Sequence, residues 1–147
     1  MKNNFRSSFF LICFLFLVTQ SCTTVKMTSD YDEITDRTLA ELQQSVSQYF
    51  VKIERNHQGP MSQMIHYTSF FDDAKVKLNT LEIRTAALEK NDLVHQQVLE
   101  LQDMIRNLEK LHKLGFKSPE EIHELQKPFT RAFTSILKLQ LALRQRA

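Results

Sequence analysis

Two glycines, three prolines, no tryptophan and two cysteines are all that the 147-residue chain contains of the residues that punctuate or staple a fold. Scarce glycine and proline exclude a loop-rich or collagen-like architecture and leave room for a few long elements. Scarce cysteine excludes a disulfide-built scaffold and a four-thiol zinc site. There is no Cys-x-x-Cys-His for covalent haem, no glycine-rich phosphate loop, no calcium-binding loop and no recognisable nucleophile motif. No enzymatic chemistry and no cofactor are therefore expected.

Charge of one sign is also missing once the chain is divided. The whole sequence has 19 basic and 17 acidic residues. Lys2 and Arg6 lie in the first stretch, before an apolar run, and without them the balance is 17 against 17. A body without net charge has no large attraction for the phosphate backbone, so nucleic acid is not an expected partner.

What is present begins at the N-terminus. After Lys2 and Arg6 comes Phe9-Phe10-Leu11-Ile12-Cys13-Phe14-Leu15-Phe16-Leu17-Val18, then Thr19-Gln20-Ser21-Cys22. The run is shorter than the about 20 apolar residues a spanning helix needs. It matches the roughly 7–15 residues of a secretory signal core. The order resembles the signal sequence of a bacterial lipoprotein over about the first 22 residues. Thr19 stands where leucine is most usual and Gln20 where a small residue is common; relaxed forms of the motif accept both.

The resemblance implies cleavage after Ser21 and a diacylglycerol thioether on Cys22, usually with an N-acyl chain. Each buried methylene contributes about 0.8 kcal/mol, so two or more chains hold permanently. Cys13 leaves with the leader, and acylated Cys22 leaves no thiol for a disulfide. An ordinary cleaved signal, or an uncleaved marginal anchor, would also explain the apolar run. Neither accounts for the position of Cys22. By the same resemblance, Thr23 in place of aspartate after the anchor favours the outer membrane over the inner, with the body facing the periplasm.

The expected organisation is a leader at 1–21, a lipid-anchored tether at 22–34 and a helical domain at 35–147. The tether extends at most about 3.3–3.6 Å per residue. The domain is rich in Leu, Gln, Glu, Lys and Ala, which favour helix. A first helix is predicted from Thr35 or Asp36, either of which can cap it. Its apolar residues Leu39, Leu42, Val46, Tyr49, Phe50 and Ile53 fall within an arc of roughly 100°, and Gly59-Pro60 ends it.

A second helix is predicted over about 61–88, with Met64, Tyr67, Phe71, Ala74, Leu78, Leu81 and Leu88 as its main stripe. Asn91-Asp92 is suited to end it and to cap the next. The third, over about 93–114, places Leu93, Val94, Val98, Leu101, Met104, Ile105, Leu108 and Leu111 on one face. Gly115 suits its C-terminal closure, with Phe116 folding back onto Leu111. Ser118-Pro119-Glu120-Glu121 is a start signal: a serine cap, proline at the first helical position and a capping-box glutamate.

The fourth helix is predicted over about 119–145, kinked or broken at Pro128, whose ring has no N–H and would clash with the Glu124 carbonyl. Phe129, Phe133, Ile136, Leu137, Leu139, Leu141 and Leu143 follow in an arc of roughly 200°. The alternation from Leu137 to Leu143 is a strand signal, but the composition favours helix. The expected fold is all-α, an up-down-up-down four-helix bundle. An extended hairpin that completes its core by dimerising is the alternative.

Two features are candidates for function. Ile65, Val76 and Ile83 form a second stripe on the second helix that one core does not bury, and Leu139, Leu141 and Leu143 widen the last face. Exposed, such residues form a contact surface for a protein partner or a second copy; buried, they belong to the bundle. Glu109-Lys110-Leu111-His112 and Glu120-Glu121-Ile122-His123 are Glu-x-x-His pairs, the spacing that di-iron and di-manganese bundles use twice. As ligands, Glu109, His112, Glu120 and His123 would make a metal-binding bundle. Against this, both pairs flank one turn, the other stripes carry no inward glutamate, and a partly buried hydrogen-bonded His112 with a surface His123 explains the same residues. A bundle holding an apolar small molecule or lipid is a third reading, for which the sequence offers no pocket.

Overall fold

The computed structural model describes residues 30–146. The leader, Cys22 and most of the tether lie outside them. Four α-helices occur among the described residues: α1 (Glu33–Asn56), α2 (Thr68–Ala87), α3 (Asp92–Leu114) and α4 (Pro119–Arg144). Two 3-10 turns, Pro60–Ser62 and Met64–His66, join α1 to α2. Each helix packs on its sequence neighbours and α4 closes on α1, which makes the predicted four-helix bundle. No described helix is long and apolar enough to cross a membrane.

The core faces follow the predicted periodicity closely. In α1, Leu39, Leu42, Val46, Tyr49, Phe50 and Ile53 are all buried. In α2 the buried set is Phe71, Ala74, Leu78, Leu81 and Thr85. In α3 it is Val94, Val98, Leu101, Ile105, Leu108 and His112. Leu93 departs from expectation and points outward, one residue after the helix begins. Asn91 precedes α3 without capping it through its side chain; its amide instead donates to the Thr85 carbonyl near the end of α2 (3.3 Å).

The bundle starts earlier than Thr35. Asp32 is the cap of α1: its carboxylate accepts from the Thr35 amide (3.1 Å) and hydroxyl (2.5 Å). The same carboxylate takes Nε (2.5 Å) and Nη2 (2.7 Å) of Arg84 near the end of α2. Tyr31 donates to Asp36 (2.8 Å), and the Arg144 guanidinium of α4 stands 5.9 Å from its ring. Residues 31–34, predicted as tether, are thus built into the domain.

The second helix starts later than predicted. Residues 60–66 form two 3-10 turns separated by an extended Gln63, and α2 begins at Thr68. The cause is competition for carbonyls. Ser62 turns its amide (2.9 Å) and hydroxyl (2.7 Å) back to Gly59. The His66 amide goes to Gln63 (3.0 Å), leaving the Ser62 carbonyl to His112 of α3 (2.8 Å). Leu88, at the C-cap of α2, already has extended backbone.

Gly115 ends α3 with φ +81°, a conformation that a β-carbon disfavours, and its amide returns to the His112 carbonyl (3.0 Å). Ser118 caps α4 by accepting from the Glu121 amide (3.3 Å), and Glu121 reaches back to the Lys117 amide (2.7 Å). Of the kink or break predicted at Pro128, the break does not occur: α4 runs from Pro119 to Arg144 with the proline inside it. The carbonyl it deprives belongs to Glu124, an exposed residue with access to water. Past the proline the buried positions are Phe129, Phe133, Ile136, Gln140 and Leu143, an ordinary single helical face. The apparent alternation from Leu137 to Leu143 straddles that face.

Candidate functional site

The sequence singled out two places, and the fold separates them. The first is the outer side of α2. Val76 and Ile83 are 66% and 64% exposed, and Thr80 and Ala87 are exposed with them. Their spacing of four, three and four lines them up along one ridge opposite the core. Thr80 donates its hydroxyl to the Val76 carbonyl (3.0 Å), so the polar group is satisfied inside the helix.

The charged and polar side chains beside this ridge lean away from it. Lys77 reaches Glu41 of α1 (3.4 Å) and Arg84 reaches Asp32. On the other side Lys75 reaches Glu109 of α3 (2.7 Å), and Glu82 accepts from Gln102 (2.6 Å). Pairing with both neighbouring helices leaves an uncharged strip from Val76 to Ala87, with exposed Asp72 and Asp73 one turn before it.

The other contact candidates do not join this strip. Ile65 is 73% exposed, but in the 3-10 segment rather than on the helix. Leu141 is exposed on α4, and Leu139 packs partly against the core. Leu143 is 4% exposed and belongs to the core, which removes it as a contact residue. The fourth helix has a narrower apolar face than its composition implied because the buried slot between Leu139 and Leu141 is taken by Gln140.

The second place is His112. Its ring is buried where the C-terminal end of α3 meets α1 and the 3-10 segment. Nε2 lies 2.8 Å from the Ser62 carbonyl, which only accepts, so Nε2 carries the hydrogen. In the neutral ring Nδ1 is then the acceptor for the Tyr49 hydroxyl, also at 2.8 Å. The rings of Tyr49, Tyr67, Phe71 and Phe116 surround it with centroids 4.8–5.9 Å away. Burial lowers the affinity of this imidazole for a proton, and the Ser62 carbonyl opposes that only in part. Burial likewise pushes the Tyr49 phenol far above its ordinary range.

These partners do not suit a Glu-x-x-His metal site. Both nitrogens of His112 are engaged in protein hydrogen bonds. Glu109 is tied to Lys75 (2.7 Å) and Lys113 (3.0 Å), which hold its carboxyl below the usual range. Glu120 and His123 are exposed on α4. Among the described residues no three His, Cys, Asp or Glu side chains converge as a metal would require. Glu109 and His112 therefore act as an ion-pair partner and a core histidine.

A groove of about 180 Å³ runs between α1 and α4, with Phe50, Phe129 and Phe133 at its floor and Gln43, Ser47 and Thr130 at its rim. It is smaller than the roughly 300–1,000 Å³ of typical small-molecule sites, whereas shallower depressions beside Lys75, Glu82 and Gln102 (about 310 Å³) and beside Tyr31, Asp36 and Arg144 (about 410 Å³) fall at the low end of that range. The sequence carried a signal for a buried His112, which shares the phase of Leu101, Ile105 and Leu108. The Asp32 cluster had no comparable signal, because Arg84 is 52 residues away. Compared with family models, curated proteins and solved structures, the chain matches none.

Proposed function

We propose that this chain is a lipid-anchored, non-enzymatic protein of the bacterial cell envelope, held to a membrane through Cys22 and offering the outer ridge of α2 to a protein partner or a second copy. Support for the location is the order of Lys2, Arg6, the apolar stretch 9–18 and Cys22. Thr23 favours the outer membrane, with the bundle in the periplasm. The connection from Cys22 enters the bundle at its Asp32 end, the end opposite His112.

The observation that carries the contact role is the uncharged ridge of Val76, Thr80, Ile83 and Ala87 between paired charges. In a chain with 24% charged residues, Val76 and Ile83 stand exposed along one helix side with no charge between them, the kind of apolar surface that marks a contact site. Chemical cross-linking in intact cells tests the reading, comparing the native chain with Val76→Lys/Ile83→Lys. The expected result is a cross-linked species that the double variant loses at unchanged protein level. An identical cross-linking pattern in both would sink the contact role.

A further inference from the structure

His112 has an arrangement that the contact role does not use. Its two ring nitrogens tie three separate parts of the chain together: Tyr49 of α1, Ser62 of the 3-10 segment and its own α3. Segment 57–67 meets α3 through the Ser62 bond and through the Tyr67 ring, which packs on His112 (4.8 Å) and Tyr49 (5.4 Å), while Met64 packs partly on the core. Within itself it is closed by short-range bonds, Ser62 to Gly59, Gln63 to Pro60 and Tyr67 to Met64. Met61, Ile65 and His66 point to solvent. Tyr67 of the segment lies against Tyr49 and His112, behind which Tyr49 packs on Phe70 and Phe71, and Phe116 packs on His112.

We propose that His112 is a proton-operated latch: protonation of its ring releases segment 57–67 from the end of α3 and uncovers the aromatic surface beneath. The chemistry follows from the two bonds. A proton on Nδ1 converts that atom from acceptor to donor, and the Tyr49 hydroxyl must then aim its own hydrogen elsewhere among apolar rings. The new charge sits in a buried place with no carboxylate opposite it.

The ionisable surroundings support this. From α1 the facing group is the Tyr49 phenol, and from the 3-10 segment the Tyr67 phenol. From α2 the facing ring is Phe71, and Lys75 is bound to Glu109. On α3, Glu109 is neutralised between Lys75 and Lys113. Glu120 of α4 has His57 as its imidazole neighbour. The folded ring resists protonation more than a free imidazole, so the open state binds the proton more tightly and acid favours opening.

Hydrogen exchange on the detergent-extracted full chain, corrected for intrinsic exchange and followed from pH 7.5 to 5, tests the latch. Below the free histidine value of about 6.5, the opening equilibrium of amides in 57–67 should rise by up to about tenfold per pH unit. Amides in the middle of α1, around Leu42 and Val46, should stay protected. His112→Gln should abolish the slope, whereas His57→Gln/His66→Gln/His123→Gln should retain it. Tyr49→Phe removes the hydroxyl that protonation displaces, so its rise should level off at a higher pH. Flat protection in the native chain would mean that the rings accommodate the imidazolium, and it would overturn the latch. So would an unchanged slope in His112→Gln, or loosening spread evenly over all four helices. If His112→Gln does not fold, an unaltered profile in Tyr49→Phe overturns it equally.

Discussion

The two ends of the bundle are fastened by opposite chemistry. At the end where α1 begins, Asp32 caps the helix and grips Arg84 in a charge-assisted pair; the side chains are 16% and 36% exposed. At the end where α3 stops, His112 is fastened by two neutral hydrogen bonds inside a shell of aromatic rings. A solvated ion pair tolerates water and is weakened by salt. A buried neutral pair ignores salt but fails if its polarity changes. The same fold therefore has one end sensitive to ionic strength and strong acid, and one end sensitive to mild acid.

Removing each fastener sharpens that contrast. The largest effect is expected from His112→Ala. It strands the Tyr49 hydroxyl and the Ser62 carbonyl and leaves a cavity among the rings, with a loss of about 3 kcal/mol in urea unfolding at pH 7.5. A loss near zero would show that the neutral end contributes no stability. Asp32→Ala is expected to cost about 2 kcal/mol, by losing the cap and the pair together. Asp32→Asn keeps a capping side chain and should cost about half as much, and the remaining difference from the native chain should shrink in 1 M salt. The bond to Arg84 holds the Asp32 carboxyl well below the usual carboxylate range. Its stabilisation is accordingly present at neutral pH and is lost only as pH falls below about 4. Equal acid sensitivity of the native chain and Asp32→Asn would break the comparison from this side.

The helices were legible in the sequence because their apolar residues recur at three and four. The interiors of α1 and α3 could be read almost residue by residue, His112 included by phase. Two of the misreadings arise from contacts between distant residues. Asp32 displaced Thr35 and Asp36 as the cap because it also serves Arg84, across 52 positions. The start of the second helix moved to Thr68 because the Ser62 carbonyl is taken by His112, 50 positions on. Gln140 occupies a core slot that composition assigned to leucines on either side, and its Oε1 finds no hydrogen-bond partner among the described residues. Of the contact candidates, Val76 and Ile83 are exposed, as their position out of phase with the core implied. Leu143 was misassigned because an alternating run of leucines hides which of them faces inward.

The proposed orientation of the bundle and the proposed compartment both rest on the proposed anchor at Cys22. Intact-mass spectrometry of the protein extracted from membranes, beside Cys22→Ala, tests it most directly. The account predicts a chain lacking residues 1–21, with Cys22 carrying the added mass of a diacylglycerol and an acyl chain, and an unprocessed, unlipidated Cys22→Ala. A native chain that retains residues 1–21, or begins at an unmodified cysteine, would contradict it.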